Sequence, residues 1–315
     1  MLNFWQKLPK PFLALAPLDD VTDVVFREII AGIAKPDVFY TEFTSADGLC
    51  SKGKVKLLQK FKYTENQRPI VAQIWGKTPE NLYKAAKLVK DLKFDGVDIN
   101  MGCPDKTVMK QGCGASLIGN NNLTKEIIDS VKRGAKNLPV SIKTRLGAGS
   151  IITKDWIGFL LDQKLDALII HARTAAQMSQ VPANWQEIGR AVKLKNKISP
   201  KTILIGNGDI LSFPQALQMH KTYGVDGVMI GRGIFANPWV FEKTTKVHAR
   251  EEYLELLLKH LTLFEETWGK TKNYQVMKKF FKMYIHSFEG ANQLRQQLME
   301  TTSNQQAAQA ITTNT

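Results

Sequence analysis

Eight short apolar runs, separated by segments of helical periodicity, constrain this chain more than any other feature. They are Phe12–Ala16, Val38–Tyr40, Ile70–Ile74, Gly96–Ile99, Val140–Lys143, Ala167–Ile170, Ile203–Ile205 and Gly227–Ile230. Most are β-branched or otherwise apolar on both faces, the pattern of strands covered on both sides in a parallel sheet. After the third run, Thr78-Pro79-Glu80 starts a helix, with Thr as N-cap and Pro at the first helical position. Leu82, Ala85, Ala86, Val89 and Leu92 follow at helical spacing. Similar segments run from about Val21 to Ala34, Leu123 to Ala135, Lys154 to Asp162, Trp185 to Leu194 and Phe213 to Tyr223. Eight strands alternating with helices predict an α/β fold, a (β/α)₈ TIM barrel over residues 1–243. An open doubly wound sheet is the alternative, but the regular repeats lack a dinucleotide glycine fingerprint, which favours closure.

Residues just after the strands of such a barrel gather at one mouth, where barrel enzymes keep their active sites. Read off in order, these are Pro17, Leu18, Asp19 and Asp20; Thr41, Glu42 and Ser45; then Gln73, within the third strand; Asn100 and Cys103; Lys143 and Arg145; His171 and Arg173; Asn207, Gly208 and Asp209; and Gly231, Arg232 and Gly233. Cys103 sits in VDINMGCPDKTVMKQGCGASLI, a loop punctuated by Gly102, Gly112 and Gly114. Alone it reads equally well as a reactive thiol or a structural one. The loops IGNGDI and IGRGIF each precede a helix. Bare backbone N–H groups and a helix N-terminus there suit a phosphate, and Arg232 adds a charged fork; tight turns that need glycine are the plainer reading.

Composition narrows the class. No run of 18 apolar residues occurs, so no membrane span is expected, and the N-terminus lacks the h-region of a signal peptide. The odd count of three cysteines fits a reducing, cytoplasmic setting. Cys103 and Cys113 lack CxxC spacing and a nearby His, so no metal site is expected. A net charge of +14 favours a polyanionic partner, though charge alone also serves solubility.

From about Val247 the period changes. Leu254, Leu257, Leu258, Leu261, Phe264 and Trp268 predict one amphipathic helix, closed by Gly269. Val276, Phe280, Phe281, Tyr284 and Phe288 predict another, with Lys278, Lys279 and Lys282 off its apolar face. Residues 244–300 therefore read as an appended C-terminal helical domain. Residues 301–315, polar and low in complexity, read as disordered.

LAPLDDVTD, QIWG, DINMGCPDKTVMKQGCGASL, IKTRLG, HARTAAQ, IGNGDI and GVMIGRG, in that order, make the chain from about Phe12 to Phe288 resemble the tRNA-dihydrouridine synthases. The resemblance implies an FMN-dependent barrel with a helical tRNA-binding domain. It places cofactor contacts at Pro17, Leu18 and Asp19, with Gln73 and Lys143 on the isoalloxazine. His171, Asn207, Gly208, Asp209, Gly231 and Arg232 fall on the ribityl chain and phosphate. It makes Cys103 the proton donor, puts Asn100 near the target base, and sets Arg145 and Arg173 against substrate RNA. The family's first loop usually reads PMAG or PMEG; here Leu18 replaces Met and Asp19-Asp20 is the odder departure. HART for HGRT changes little.

The implied reaction is reduction of the C5–C6 double bond of a uridine in tRNA, with NADPH as reductant and a monomer as the working unit. Two other readings stay open. One is a flavin barrel acting on a free pyrimidine, similar to dihydroorotate dehydrogenase, which needs neither the helical domain nor the basic charge. The other is a non-catalytic tRNA-binding factor, against which the kept thiol, lysine and phosphate loops argue.

Overall fold

The computed structural model describes residues 3–244 and 246–313. Eight strands form the barrel: β1 Phe12–Leu15, β2 Phe39–Tyr40, β3 Ile70–Trp75, β4 Gly96–Met101, β5 Val140–Arg145, β6 Ala167–His171, β7 Ile203–Asn207 and β8 Gly227–Ile230. All pair in parallel, each with its sequence neighbour, and β8 pairs with β1. Between β1 and β2 the ring closes by a bridge at Val38, whose N–H donates to Leu13 O (3.2 Å) and whose carbonyl accepts from Leu15 N–H (3.0 Å). A two-residue strand, Thr44–Ser45, pairs with the end of β3.

The two-sided apolarity of the strands has a direct cause. Phe12, Ala14, Tyr40, Val71, Ile169, Ile205 and Met229 point inward and fill the barrel. Leu13, Ile70, Val97, Ile99, Ile142, Leu168 and Val228 point outward beneath the helices. Trp5 joins the inner cluster, its ring 5.9 Å from Phe12 and 6.5 Å from Tyr40.

The outer ring includes α1 Val24–Ala31, α2 Pro79–Asp91, α3 Asn121–Ala135, α4 Gly158–Asp162, α5 Trp185–Ile198 and α6 Phe213–Tyr223. Thr78 does occupy the N-cap of α2, but its side chain makes no capping bond. The segment expected as a helix from Lys154 begins as a π-helical turn, Thr153–Ile157.

The appended helical part is built on α7 Arg250–Trp268, α8 Ala291–Glu300 and α9 Asn304–Thr313. Between α7 and α8 the expected single helix is instead a 3₁₀ segment, Tyr274–Phe280, running into a short α-turn, Phe281–Tyr284. Tyr274, Met277, Phe280, Phe281, Met283 and Tyr284 are all buried, so this segment is covered on more than one side. Phe280 stacks on Phe26 of α1 at 5.4 Å, and His260 of α7 bonds Tyr284 Oη at 2.8 Å. Of residues 301–315, expected to be disordered, Asn304–Thr313 form α9, and residues 314 and 315 lie outside the described residues. Composition misled because few residues anchor α9: Ala307 and Ile311 are fully buried against α7 and α8, and Asn304 bonds Glu265 of α7.

Candidate active site

Strand register brings the polar residues together before any loop is considered. Asn100 aligns with Lys143, Arg145 with His171, and His171 with Asn207. These residues alternate with the outward apolar ones, so their side chains meet at the carboxyl ends of the strands. There they border a cavity of about 530 Å³, within the range of small-molecule sites. Every candidate read from the sequence for cofactor or substrate lines this cavity except Gln73. Gln73 is fully buried beneath Asn100 and makes its bonds within the barrel.

Cys103 is half-buried, and the loop holds it tightly. Its N–H donates to Asn100 Oδ1 (2.9 Å), and its carbonyl accepts from Ala115 N–H (3.0 Å). The loop turns back at Gly114, where φ is +61° and a Cβ would lie 2.7 Å from Cys103 O. Asp105 caps the short helix Lys106–Lys110 that follows. Burial pushes the thiol's pKa up, against the lowering pull of the Asp105 backbone N–H, Arg145 and Lys143. The thiol therefore stays protonated at neutral pH, as a proton donor must.

Positive charge dominates the rest of the lining. Lys143 donates to Asn207 Oδ1 at 3.2 Å, and burial, then Arg145, lower its pKa to about 8. His171 is driven down to about 2 by burial and by Lys143, Arg145, Arg173 and Arg232. It is thus neutral, and since Arg173 can only donate, His171 Nε2 accepts from it at 3.1 Å and the proton sits on Nδ1. Arg145 and Arg173, expected against RNA, do border the cavity. Their guanidinium groups nevertheless brace loops: Arg145 donates to Gly102 O (2.7 Å), Thr174 O (3.0 Å) and Met178 O (3.0 Å), while Arg173 donates to Val181 O (2.6 Å) and pairs with Asp209. Arg232 has its side chain 63% exposed and, among the described residues, pairs with Asp209 only at 3.6 Å, so its donors remain available.

The first loop accounts for its paired aspartates. Asp20 has φ +56°, a left-handed conformation that Gly adopts freely and Asp tolerates. That is the position of the glycine in the usual PMAG or PMEG. Asp20 N–H donates to Glu42 at 2.8 Å, and its carbonyl accepts from Lys279 Nζ at 2.7 Å. Asp19 lines the cavity and pairs with Lys60, which also lies 3.7 Å from Glu42. The three carboxylates Asp19, Asp20 and Glu42 approach within 4.8 Å of one another, with Lys60 among them.

Some lining residues escaped the sequence reading. Phe43 borders the cavity, whereas two nearby candidates make their bonds elsewhere: Thr41 Oγ1 accepts from Gln73 N–H of β3 (3.1 Å), and Ser45 caps the short helix Ala46–Leu49. Ser179 and Phe235 also line it. Ser179 follows Met178, whose φ is +47°, a turn that no motif announced.

Among known proteins, the family model described as dihydrouridine synthase (Dus) matches residues 14–315. The probable tRNA-dihydrouridine synthase 2 of Bacillus subtilis (strain 168) is 45% identical over 304 residues, covering 96% of this chain and 93% of the relative. The probable tRNA-dihydrouridine synthase of Staphylococcus aureus (strain COL) is 43% identical over 304 residues, covering 96% and 92%. In structure the chain is similar to a variant of NCR from Zymomonas mobilis (TM-score 0.50, 18% identity, 76% and 89% covered) and to morphinone reductase in complex with tetrahydroNAD (TM-score 0.50, 13%, 73% and 85%). At such low identity these solved structures speak for the barrel alone. The match to the family model, nearly full-length, and relatives above 40% identity settle the matter: the chain belongs to the dihydrouridine synthase family.

Proposed function

We propose that this protein reduces the C5–C6 double bond of a uridine in tRNA to dihydrouridine, using FMN with NADPH as reductant and Cys103 as proton donor to C5. The observation that carries the reading is the convergence of a neutral thiol, a buried lysine and a cationic wall on one cavity at the barrel mouth. The donor set suits FMN. Lys143, Arg145, Arg173 and Arg232 face Asp19 and Asp209 around the cavity, leaving an excess of positive charge for a phosphate to offset.

In this reading His171, Asn207, Gly208, Asp209, Gly231 and Arg232 would hold the ribityl phosphate, while Pro17, Leu18, Asp19 and Lys143 would border the ring and Gln73 would act from beneath, through its bond to Asn100. FMN, when bound there, would supply hydride-transfer chemistry, with NADPH as the source of electrons. Lys143, protonated below about pH 8, would hold positive charge on the cavity side facing the ring. Cys103 gives its Sγ proton to C5 and later recovers one from solvent. Asn100 orients the base beside the thiol, and Arg145 fixes Gly102 so that the loop keeps its shape. Swinging the base out of the RNA stack costs roughly a few kcal/mol, which basic side chains gripping phosphates offset. Among the described residues no helix is long and apolar enough to cross a membrane.

The test is direct. Purified protein supplied with FMN and NADPH should form dihydrouridine on unmodified tRNA transcript and not turn over free uracil or dihydroorotate. Turnover of a free pyrimidine with none on tRNA would transfer the site to the rival small-molecule chemistry. Failure to bind FMN would remove the proposal altogether.

A further inference from the structure

We propose that Asp98 is a positioning residue: its buried carboxylate fixes the direction of a hydrogen-bond chain that holds the Cys103 loop in place. The chain runs through side chains pointing into the barrel. Ser141 Oγ donates to Asp98 Oδ1 at 2.6 Å, and Gln73 Nε2 donates to Asp98 Oδ2 at 2.7 Å. Asn100 Nδ2 donates to Gln73 Oε1 at 2.9 Å. Asn100 Oδ1 then accepts from the N–H groups of Gly102 (3.2 Å) and Cys103 (2.9 Å).

The two ends of this chain can each play one role only. A backbone N–H can only donate, so Asn100 must turn its oxygen to the loop and its nitrogen to Gln73. An ionised carboxylate can only accept, so Gln73 must turn its nitrogen to Asp98. The orientations demanded from the two ends agree, and each amide has a single satisfied setting. Gln73 and Asp98 are fully buried, so water offers no alternative partner. Asn100 is 7% exposed, at the boundary between the barrel interior and the cavity. Lys143 lies two residues beyond Ser141 on β5, in register with Asn100, and its positive charge acts on the Asp98 carboxylate. Its link to catalysis rests on the reading of Cys103 as proton donor.

The experiment reads the loop itself, without tRNA. Alkylation of Cys103 by iodoacetamide is followed by peptide mass spectrometry, with exposed Cys50 as the internal reference, alongside hydrogen exchange of the Cys103 amide. Asp98→Leu removes the acceptor, and Gln73→Met cuts the chain while leaving Ser141 paired with Asp98. Each should speed both readouts about fivefold or more, the weight of roughly one net hydrogen bond. Asp98→Asn can still accept from Gln73 and should stay within about twofold of the parent, since it restores the chain without the charge. Parent-like rates in Gln73→Met, or in a folded Asp98→Leu, overturn the proposal; Gln73→Met alone decides it if Asp98→Leu does not fold. An Asp98→Asn as loose as Asp98→Leu also overturns it, because charge rather than bond direction would then be at work. A parent protein inactive on tRNA would sink the proposed function and leave these readouts standing.

Discussion

Replacing Gly114 by alanine probes how closely the backbone supports Cys103. Two costs are visible. Gly114 has φ +61°, where an L-residue with a Cβ loses about 1 kcal/mol or more. The new Cβ would also lie 2.7 Å from Cys103 O and 3.0 Å from Val108 Cγ1. The valine methyl can give a little, but the carbonyl is tied to Ala115 N–H, so the peptide of Cys103 must move by about half an ångström. Together these predict a loss of about 2–3 kcal/mol. With an unfolding entropy near 2.1 cal/mol/K per residue, a chain of 315 residues should lose roughly 3–5 °C in Tm. A thiol displaced by half an ångström should reduce turnover on tRNA about tenfold, given that 1 Å costs on the order of a hundredfold. Gly119→Ala is the control. Its φ is +90°, but nothing lies within 4 Å of the added carbon, so it should show the backbone cost alone and keep parental turnover. Calorimetry and dihydrouridine formation measured side by side decide the matter. Equal behaviour of the two variants would refute the reasoning that contact with Cys103, rather than backbone conformation, sets the difference.

Three further outcomes are expected. Cys103→Ala should bind FMN as the parent does yet lose about 10²–10⁴ in dihydrouridine formation, the range of a lost general acid; parental turnover would take Cys103 out of the reaction. Turnover should fall as pH rises through about 8, where Lys143 loses its proton, and Lys143→Met should abolish that alkaline limb while lowering turnover at pH 7; a limb that persists in the variant assigns it elsewhere. Asp23, N-cap of α1, is pushed up in pKa by burial but pulled below the usual range overall by Lys272 at 2.7 Å and Phe26 N–H. A depressed carboxylate contributes stability above its unfolded pKa of about 4 and loses it as pH falls through the lower folded value. Lys272→Met should therefore lower Tm at pH 7 and flatten the loss of stability with acid, by thermal melts from pH 7 to 3.

Much of the barrel was readable because its strands are buried on both faces. Phe12–Ala16 and Ile203–Ile205 have no polar face to confuse with a helix, and the inward and outward clusters show why. The mouth residues were readable for the same topological reason: a parallel barrel sends every strand's carboxyl end to one side. What was not readable depended on partners distant in sequence. Lys279, read only as lying off an apolar helix face, bonds Asp20 O and ties the helical part to the first loop. Phe43 lines the cavity with its ring edge-on to Trp75 at the end of β3, 6.4 Å away, a contact that no local pattern records.

From the order of its residues alone, this protein's class, its cylinder of strands and the cast of polar groups at the mouth could be written down, because burial imposes a period that a linear string records. Which way each group faces was a different matter. Gln73 lies under the cavity rather than in its wall, Arg145 and Arg173 brace carbonyls, and 304–313 is a packed helix. Each of these depends on whether a donor meets an acceptor, or a methyl meets a core, across many intervening residues, and only the folded chain brings those atoms within bonding distance.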